Sequence, residues 1–79
     1  MYEKTYSKLV EIMVDELGIE PEEIKAESLL VSDLNVNSLE FMNVVMVVEE
    51  IFDIILDENR LVKLKTVDDV VNYIIELKD

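Results

Sequence analysis

The amino-acid sequence predicts an all-α fold, a small four-helix bundle of three main helices and one short helix, with a long loop between the first two. Three stretches repeat apolar residues with the 3.6-residue period of a helix that buries one face. The run from Asp53 to Leu56 could form a β-strand, but it has no second strand to pair with, so we expect a buried loop there. Residues 1–79 should form a single domain, with a core near the minimum for independent folding.

The first helix is predicted from about Glu3 to Glu16. Gly18, the only glycine, is placed to end this helix in a left-handed conformation. Its buried face should consist of Tyr6, Leu9, Val10, Met13 and Leu17.

A long connection follows, from Ile19 to Val36. Pro21 and the acids after it predict a single helical turn over residues 21–24, with proline at its start. The remainder should be held against the core by spaced apolar residues, namely Ile19, Ile24, Leu29, Leu30 and Leu34.

The second helix should begin at Ser38 and run to Phe52. Asn37 is a good N-cap residue, and Glu40 completes a capping box with it. The positive end of this helix would favour an anion attached at the Ser38 hydroxyl. One face of the helix should be buried, through Phe41, Val44, Val45, Val48 and Phe52. A second apolar stripe with polar neighbours should be exposed, through Leu39, Met42, Met46, Val47, Asn43, Glu49 and Glu50.

The last third of the chain predicts two more helices. Residues 57–62 form a short helix that opens with Asp57 as its N-cap. Thr66 then caps the final helix, with Asp69 in the capping-box position. The buried face of that helix should consist of Val67, Val70, Val71 and Ile74.

The composition argues against an enzyme. The chain has no Cys and no His, so thiolate or imidazole metal ligands and the usual general base are missing. The sequence also shows no signal peptide and no apolar run of membrane-spanning length, so we expect a soluble cytoplasmic protein that inserts into no membrane.

Charge indicates the kind of partner. Nineteen acids against seven bases give a net charge of −12, which disfavours nucleic acid and anionic membranes. Residues 26–59 contain eight acids and no Lys or Arg. This stretch is either a solvated acidic face or a surface that steers basic partners to a fast, salt-sensitive contact. The apolar stripe within the same stretch favours the second interpretation.

Three segments resemble the acyl carrier protein family. They are Asp33-Leu34-x-x-Asn37-Ser38-Leu39-Glu40, Glu49-Glu50-x-Phe52-Asp53 and Thr66-Val67-Asp68-Asp69-Val70. The resemblance implies that Ser38 carries 4′-phosphopantetheine, attached from coenzyme A by a phosphopantetheinyl transferase. It also implies a monomeric, non-catalytic carrier of thioesters. This carrier would dock acyl-handling enzymes through basic patches on those enzymes.

The same resemblance implies two sets of site residues. Partner docking would fall to the start and exposed side of the second helix, at Asn37, Leu39, Glu40, Met42, Asn43, Met46, Glu49 and Glu50. An acyl cavity would be lined by Leu30, Phe41, Val48, Leu56, Leu61 and Val70. Phe41, Leu61 and Val70 are larger than is usual there, so we expect them to fill the cavity. The carrier would then hold short or polar cargo, or leave long chains exposed on the Leu39 and Met46 surface, unless the helices move apart to make room.

Some positions depart from the family pattern. Asn37 stands where aspartate is usual, Asn35 stands where glycine is usual, and Asn43 replaces a frequent acid. These departures leave open an unmodified interaction module with a carrier-like fold. They also leave open the cargo, which could be a fatty acid, a polyketide, an amino acid or another acyl group. Asp33, Asn35 and Asn37 mimic the start of a calcium-binding loop, but the required glycine and final glutamate are missing, so we expect no metal site.

Overall fold

The structure is a computed structural model, and it describes residues 1–78. It has four α-helices in the order predicted: α1 (Tyr2–Leu17), α2 (Ser38–Phe52), α3 (Glu58–Leu61) and α4 (Val67–Lys78). A single 3-10 turn, Pro21–Glu23, lies in the long loop between α1 and α2. Among residues 1–78 the only β-type pairing is an isolated bridge between Leu29 and Thr66. The all-α prediction is therefore confirmed.

Helix α1 ends as predicted, but its buried face is rotated. Gly18 adopts φ 67°, and its N–H donates to the Val14 carbonyl at 3.0 Å. The buried residues of α1 are Thr5, Leu9, Ile12 and Met13. The prediction missed Ile12 and placed Tyr6 too centrally. Tyr6 is half-buried at the margin of the helix, where its hydroxyl donates to the Ile24 carbonyl at 3.3 Å.

The long loop is anchored mostly where the sequence predicted. Ile24, Leu30 and Leu34 are buried in the core, and so is Val36. Leu29 is exposed, so its prediction as an anchor was wrong. The physical reason is the extended backbone at the bridge to Thr66, where successive side chains point to opposite sides. Leu30 takes the inward direction and Leu29 the outward one.

Main-chain hydrogen bonds tie this loop to the start of α4. The Leu30 N–H donates to the Lys65 carbonyl at 2.9 Å, and the Val67 N–H donates to the Ser28 carbonyl at 3.1 Å. The Asp68 N–H donates to the Ala26 carbonyl at 2.8 Å. The long loop is therefore fixed to the segment that leads into α4 and to the first residues of that helix.

The segment after α2 is only partly buried. Leu56 is in the core, but Ile55 is 86% exposed, which contradicts the prediction of a buried loop. Asp53 ends α2 in a left-handed conformation with φ 57°. The Leu56 N–H then donates to a Glu49 carboxylate oxygen at 2.8 Å, so Leu56 turns inward and its neighbour Ile55 turns out.

The core lies between α1, α2 and α4, with α1 packed against both of the others. All four residues predicted for the buried face of α4 are buried, and Tyr73 joins them. On α2, Val44, Val45 and Val48 are buried, whereas Phe41 and Phe52 are only half-buried and pack against the edge of the core. No helix among the described residues is long and apolar enough to cross a membrane.

Candidate functional site

Ser38 is the first residue of α2 and is exposed to solvent. The Asn37 side chain caps the helix, accepting the Glu40 N–H at 2.8 Å. In return, the Glu40 carboxylate accepts the Asn37 N–H at 3.2 Å, so the predicted capping box is present. The cap engages the third residue of the helix, so the N–H groups of Ser38 and Leu39 are left without a partner inside the helix.

The turn before Ser38 is ordered by its own hydrogen bonds. Asn35 adopts the left-handed conformation with φ 56°, which asparagine tolerates better than most residues. The Asp33 carboxylate accepts the Leu29 N–H at 2.8 Å, and the Val36 N–H donates to the Leu30 carbonyl at 2.9 Å. Asn35 therefore takes up the left-handed turn before the helix without a glycine. Within residues 1–78 no cluster of acids is arranged to hold a metal ion.

A groove of about 590 Å³ begins beside Ser38. One wall comes from the end of the long loop and the first turn of α2, and the other comes from α3 and the connection to α4. Most of its lining is apolar, with four polar residues besides Ser38 itself. The lining residues are Leu29, Leu30, Val31, Ser32, Val36, Asn37, Ser38, Phe41, Met42, Glu58, Leu61, Val62, Leu64 and Lys65.

The structure places the six predicted cavity residues in two groups. Leu30, Phe41 and Leu61 line the groove, whereas the other three predicted residues are buried in the core and do not, namely Val48, Leu56 and Val70. Phe41, Leu61 and Val70 were expected to fill this space. Phe41 is half-buried along one wall and leaves the groove open, while Val70 packs into the core.

Sequence reasoning missed several lining residues, including Val31, Met42 and Val62. Val31 and Val62 are 72% and 73% exposed, so they flank the mouth of the groove. The available signal was that Val31 and Val62 are apolar and directly follow Leu30 and Leu61 in the sequence. Only the folded path of the long loop brings them to the same groove.

The predicted docking residues form an exposed strip on α2. Leu39 is 75% exposed and Met46 is 63% exposed, and Met42 lies between them. Asn43 and Glu50 are exposed, whereas Glu40 and Glu49 are half-buried because their carboxylates accept main-chain N–H groups. The strip therefore combines apolar side chains with negative charge.

The outer wall of the groove, which is the wall that α3 forms, is held to α4 by a cluster around Arg60. Its guanidinium donates to both Glu76 carboxylate oxygens, at 2.9 and 3.1 Å. It also lies 4.3 Å from the centre of the Tyr73 ring. The hydrogen bond to Glu76 raises the pKa of Arg60, and the same bond lowers the pKa of Glu76.

The residues around Ser38 suit a phosphodiester-linked prosthetic group. An exposed hydroxyl at a helix N-terminus places an attached phosphate next to free N–H groups and the positive end of the dipole. The groove beside it is lined mostly by apolar side chains. The chain therefore places an exposed hydroxyl next to an apolar surface.

Comparison with known proteins gives a consistent result. Residues 7–74 match the family described as "Phosphopantetheine attachment site". The acyl carrier protein of Bdellovibrio bacteriovorus is 39% identical over 69 residues, covering 87% of this chain and 88% of that protein. The acyl carrier protein of Chlamydia muridarum is 43% identical over 65 residues, covering 82% of this chain and 84% of that protein.

A solved structure agrees on the architecture. The crystal structure of an acyl carrier protein from Thermotoga maritima superposes with a TM-score of 0.84, covering 96% of this chain and 88% of that chain. Its sequence identity is 24%, so this likeness shows the fold alone. The sequence relatives favour a modified carrier over an unmodified interaction module. The chain belongs to the phosphopantetheine-binding family of acyl carrier proteins, which hold acyl groups on a covalently attached 4′-phosphopantetheine.

Proposed function

We propose that Ser38 is the residue that carries the 4′-phosphopantetheine. The observation that carries this proposal is the exposed Ser38 hydroxyl at the capped start of α2, at the mouth of an apolar groove. When bound, the prosthetic group supplies a thiol that holds acyl groups as thioesters. The free N–H groups of the first turn would bind the phosphate and restrict the root of the arm.

The attachment site is tested by labelling with a coenzyme A analogue and a phosphopantetheinyl transferase. Ser38→Ala should abolish labelling, while helical circular dichroism stays as in the wild type. Ser32→Ala is the matched control, because Ser32 is an exposed serine that lines the same groove. Labelling that survives in Ser38→Ala, or that is lost in Ser32→Ala alone, would refute the assignment.

The groove is the proposed site for the acyl chain. Its position beside Ser38 lets the attached arm fold back and deliver the chain, and its walls include Leu30, Phe41, Leu61 and Val62. Burial of apolar surface from water is the driving force. Medium-length chains are therefore expected to enter the groove, whereas the alternative of short or polar cargo predicts that they stay outside it.

The exposed strip on α2 is the proposed docking surface. Leu39, Met42 and Met46 provide adaptable apolar contacts, and Met in particular adjusts to different partners. The surrounding acids would attract basic patches on the transferase and on acyl-handling enzymes. Association should therefore slow as salt is added, because the attraction between exposed charges is screened.

The rest of the proposed function follows from the carrier role. The protein would act as a cytoplasmic monomer without catalytic activity of its own. Its net charge of −12 disfavours nucleic acids and anionic membranes as partners. Fatty acid synthesis is the proposed pathway, because the relatives that it resembles are acyl carrier proteins.

A further inference from the structure

We infer that Arg60 and Glu76 form a latch that fixes the outer wall of the groove and so determines how well the protein shields acyl chains of different length. This inference rests on the proposed function of the groove as the acyl site. Arg60 would be a positioning residue, since it does not line the groove itself.

The outer wall needs such a device because α3 is very short. The helix has four residues, Glu58–Leu61, which is far below the length that is stable alone. Its place therefore depends on contacts with the rest of the molecule. On its inner side Leu61 is buried, and Glu58, Leu61 and Val62 form the wall of the groove.

On its outer side α3 is held to α4 at both ends. At the start, the Asp57 N–H donates to the Tyr73 hydroxyl at 3.0 Å. Towards the end, Arg60 makes the two-pronged hydrogen bond to Glu76 at 2.9 and 3.1 Å and covers the Tyr73 ring. Planar guanidinium and carboxylate groups paired in this way fix orientation as well as distance. The latch therefore sets the angle at which α3 faces the groove.

The latch is also weak enough to open. The side chains of Arg60 and Glu76 are 43% and 57% exposed, and ion pairs at that exposure are screened by water and salt. Losing the pair should change the ratio of held to released α3 by up to about fivefold. Such a change is too small to unfold the protein, but it is large enough to alter access to a chain in the groove.

The test measures how fast hydroxylamine cleaves the thioester of acetyl and octanoyl forms of the holo-protein. Acetyl is too short to use the groove, so it reports the unshielded thioester. In the wild type the octanoyl form should react more slowly than the acetyl form. In Arg60→Ala the octanoyl form should react roughly two to five times faster than in the wild type, with no change in the acetyl form.

Two variants make the result specific. Lys8→Ala is the matched control, because it removes another exposed ion pair, Lys8 with Glu11 on α1, away from the groove. It should leave both rates unchanged. The charge exchange Arg60→Glu with Glu76→Arg should restore shielding. Salt at about 1 M, where the screening length is ~3 Å, should make the wild type behave like Arg60→Ala.

The outcomes separate the latch from the groove. If the wild type shields octanoyl and Arg60→Ala shields it equally well, the latch is refuted and the groove stands. If acetyl and octanoyl react equally in the wild type, the acyl site is refuted and the latch with it. If Arg60→Ala accelerates both forms alike, the pair acts only on general stability, which also refutes the latch.

Discussion

Lengthening the acyl group should stabilise the holo-protein in steps, because the groove beside Ser38 takes up added methylenes. A fully buried methylene contributes about 0.8 kcal/mol. The groove is open along a mouth flanked by Val31 and Val62, which are 72% and 73% exposed, so each methylene should lose about half its contact with water. Each would then contribute roughly 0.4 kcal/mol to the free energy of unfolding.

The four methylenes that separate butyryl from octanoyl should therefore add about 1.6 kcal/mol. For a domain of this size that corresponds to a rise in Tm of roughly 6–13 °C. Differential scanning calorimetry of acetyl, butyryl, hexanoyl and octanoyl forms measures the series. A Tm that stays flat or falls as the acyl chain lengthens would refute the reasoning. It would support the alternative in which bulky side chains fill the cavity.

A pair of methionines on α2 provides the matched controls. Met42 lines the groove, whereas Met46, one turn further on, does not. Both are exposed, so each should accept a tryptophan without disturbing the core. Met42→Trp should reduce the gain per methylene by occupying the groove, and Met46→Trp should leave it unchanged. Equal slopes in the two variants would place the chain outside the groove.

Three further predictions concern caps and titrating groups. Asn37→Asp should speed modification by a general-purpose transferase at low salt and barely change Tm, since both residues cap well; equal rates at every salt concentration would show that the charge is irrelevant. Asp69→Ala should cost about 1 kcal/mol in urea denaturation at neutral pH, because the carboxylate accepts the Lys65 and Thr66 N–H groups. Those bonds lower the pKa of Asp69 below its usual 3.8, so the stability that Asp69 contributes is present above that value and is lost as the pH falls through the depressed pKa. The unfolding free energies of wild type and variant should therefore converge in acid. A difference in unfolding free energy that stays constant with pH would contradict this. The hydrogen bond from Tyr2 to Asp68 raises the pKa of Tyr2 to about 12, so its stabilisation is complete below the ordinary value of 10.0 and is lost as the pH rises through about 12. Ultraviolet titration of the wild type should show one tyrosine that ionises near pH 12 and is missing in Tyr2→Phe. If the tyrosine that Tyr2→Phe removes ionises near 10.0, the prediction is contradicted.

The parts of the fold that depend on neighbouring residues were predictable from sequence. Gly18 ends α1, and capping boxes start α2 and α4 at Asn37 and Thr66, because each of these signals acts over three or four residues. Ser38 could be placed at a helix start for the same reason. The 3.6-residue period identified the buried face of α4 correctly.

The parts that depend on distant segments were not predictable in this way. Leu29 and Ile55 are apolar and were expected to be buried, yet backbone contacts in their loops turn them to solvent. The groove arises where the long loop meets α3, so its lining depends on the folded path of the chain between Leu29 and Lys65 and not on any local pattern. Phe41 shows the difference most clearly. The sequence gives the size of its side chain, but only the fold shows that the side chain lies half-buried along one wall of the groove.

The hydrogen bonds that join the long loop to the start of α4 have a consequence for how this surface can diversify. Those between Leu30 and Lys65, Ser28 and Val67, and Ala26 and Asp68 use main-chain atoms alone. Side chains along the outer edge of the loop, such as Leu29, are therefore replaceable without weakening the frame that carries them. Proline is the exception, because it has no N–H to donate. It should be kept out of Leu30, Val67 and Asp68, and also out of the outward position Leu29, whose N–H donates to the Asp33 carboxylate. Libraries that vary the outward side chains of the loop for new enzyme partners can then use other residue types.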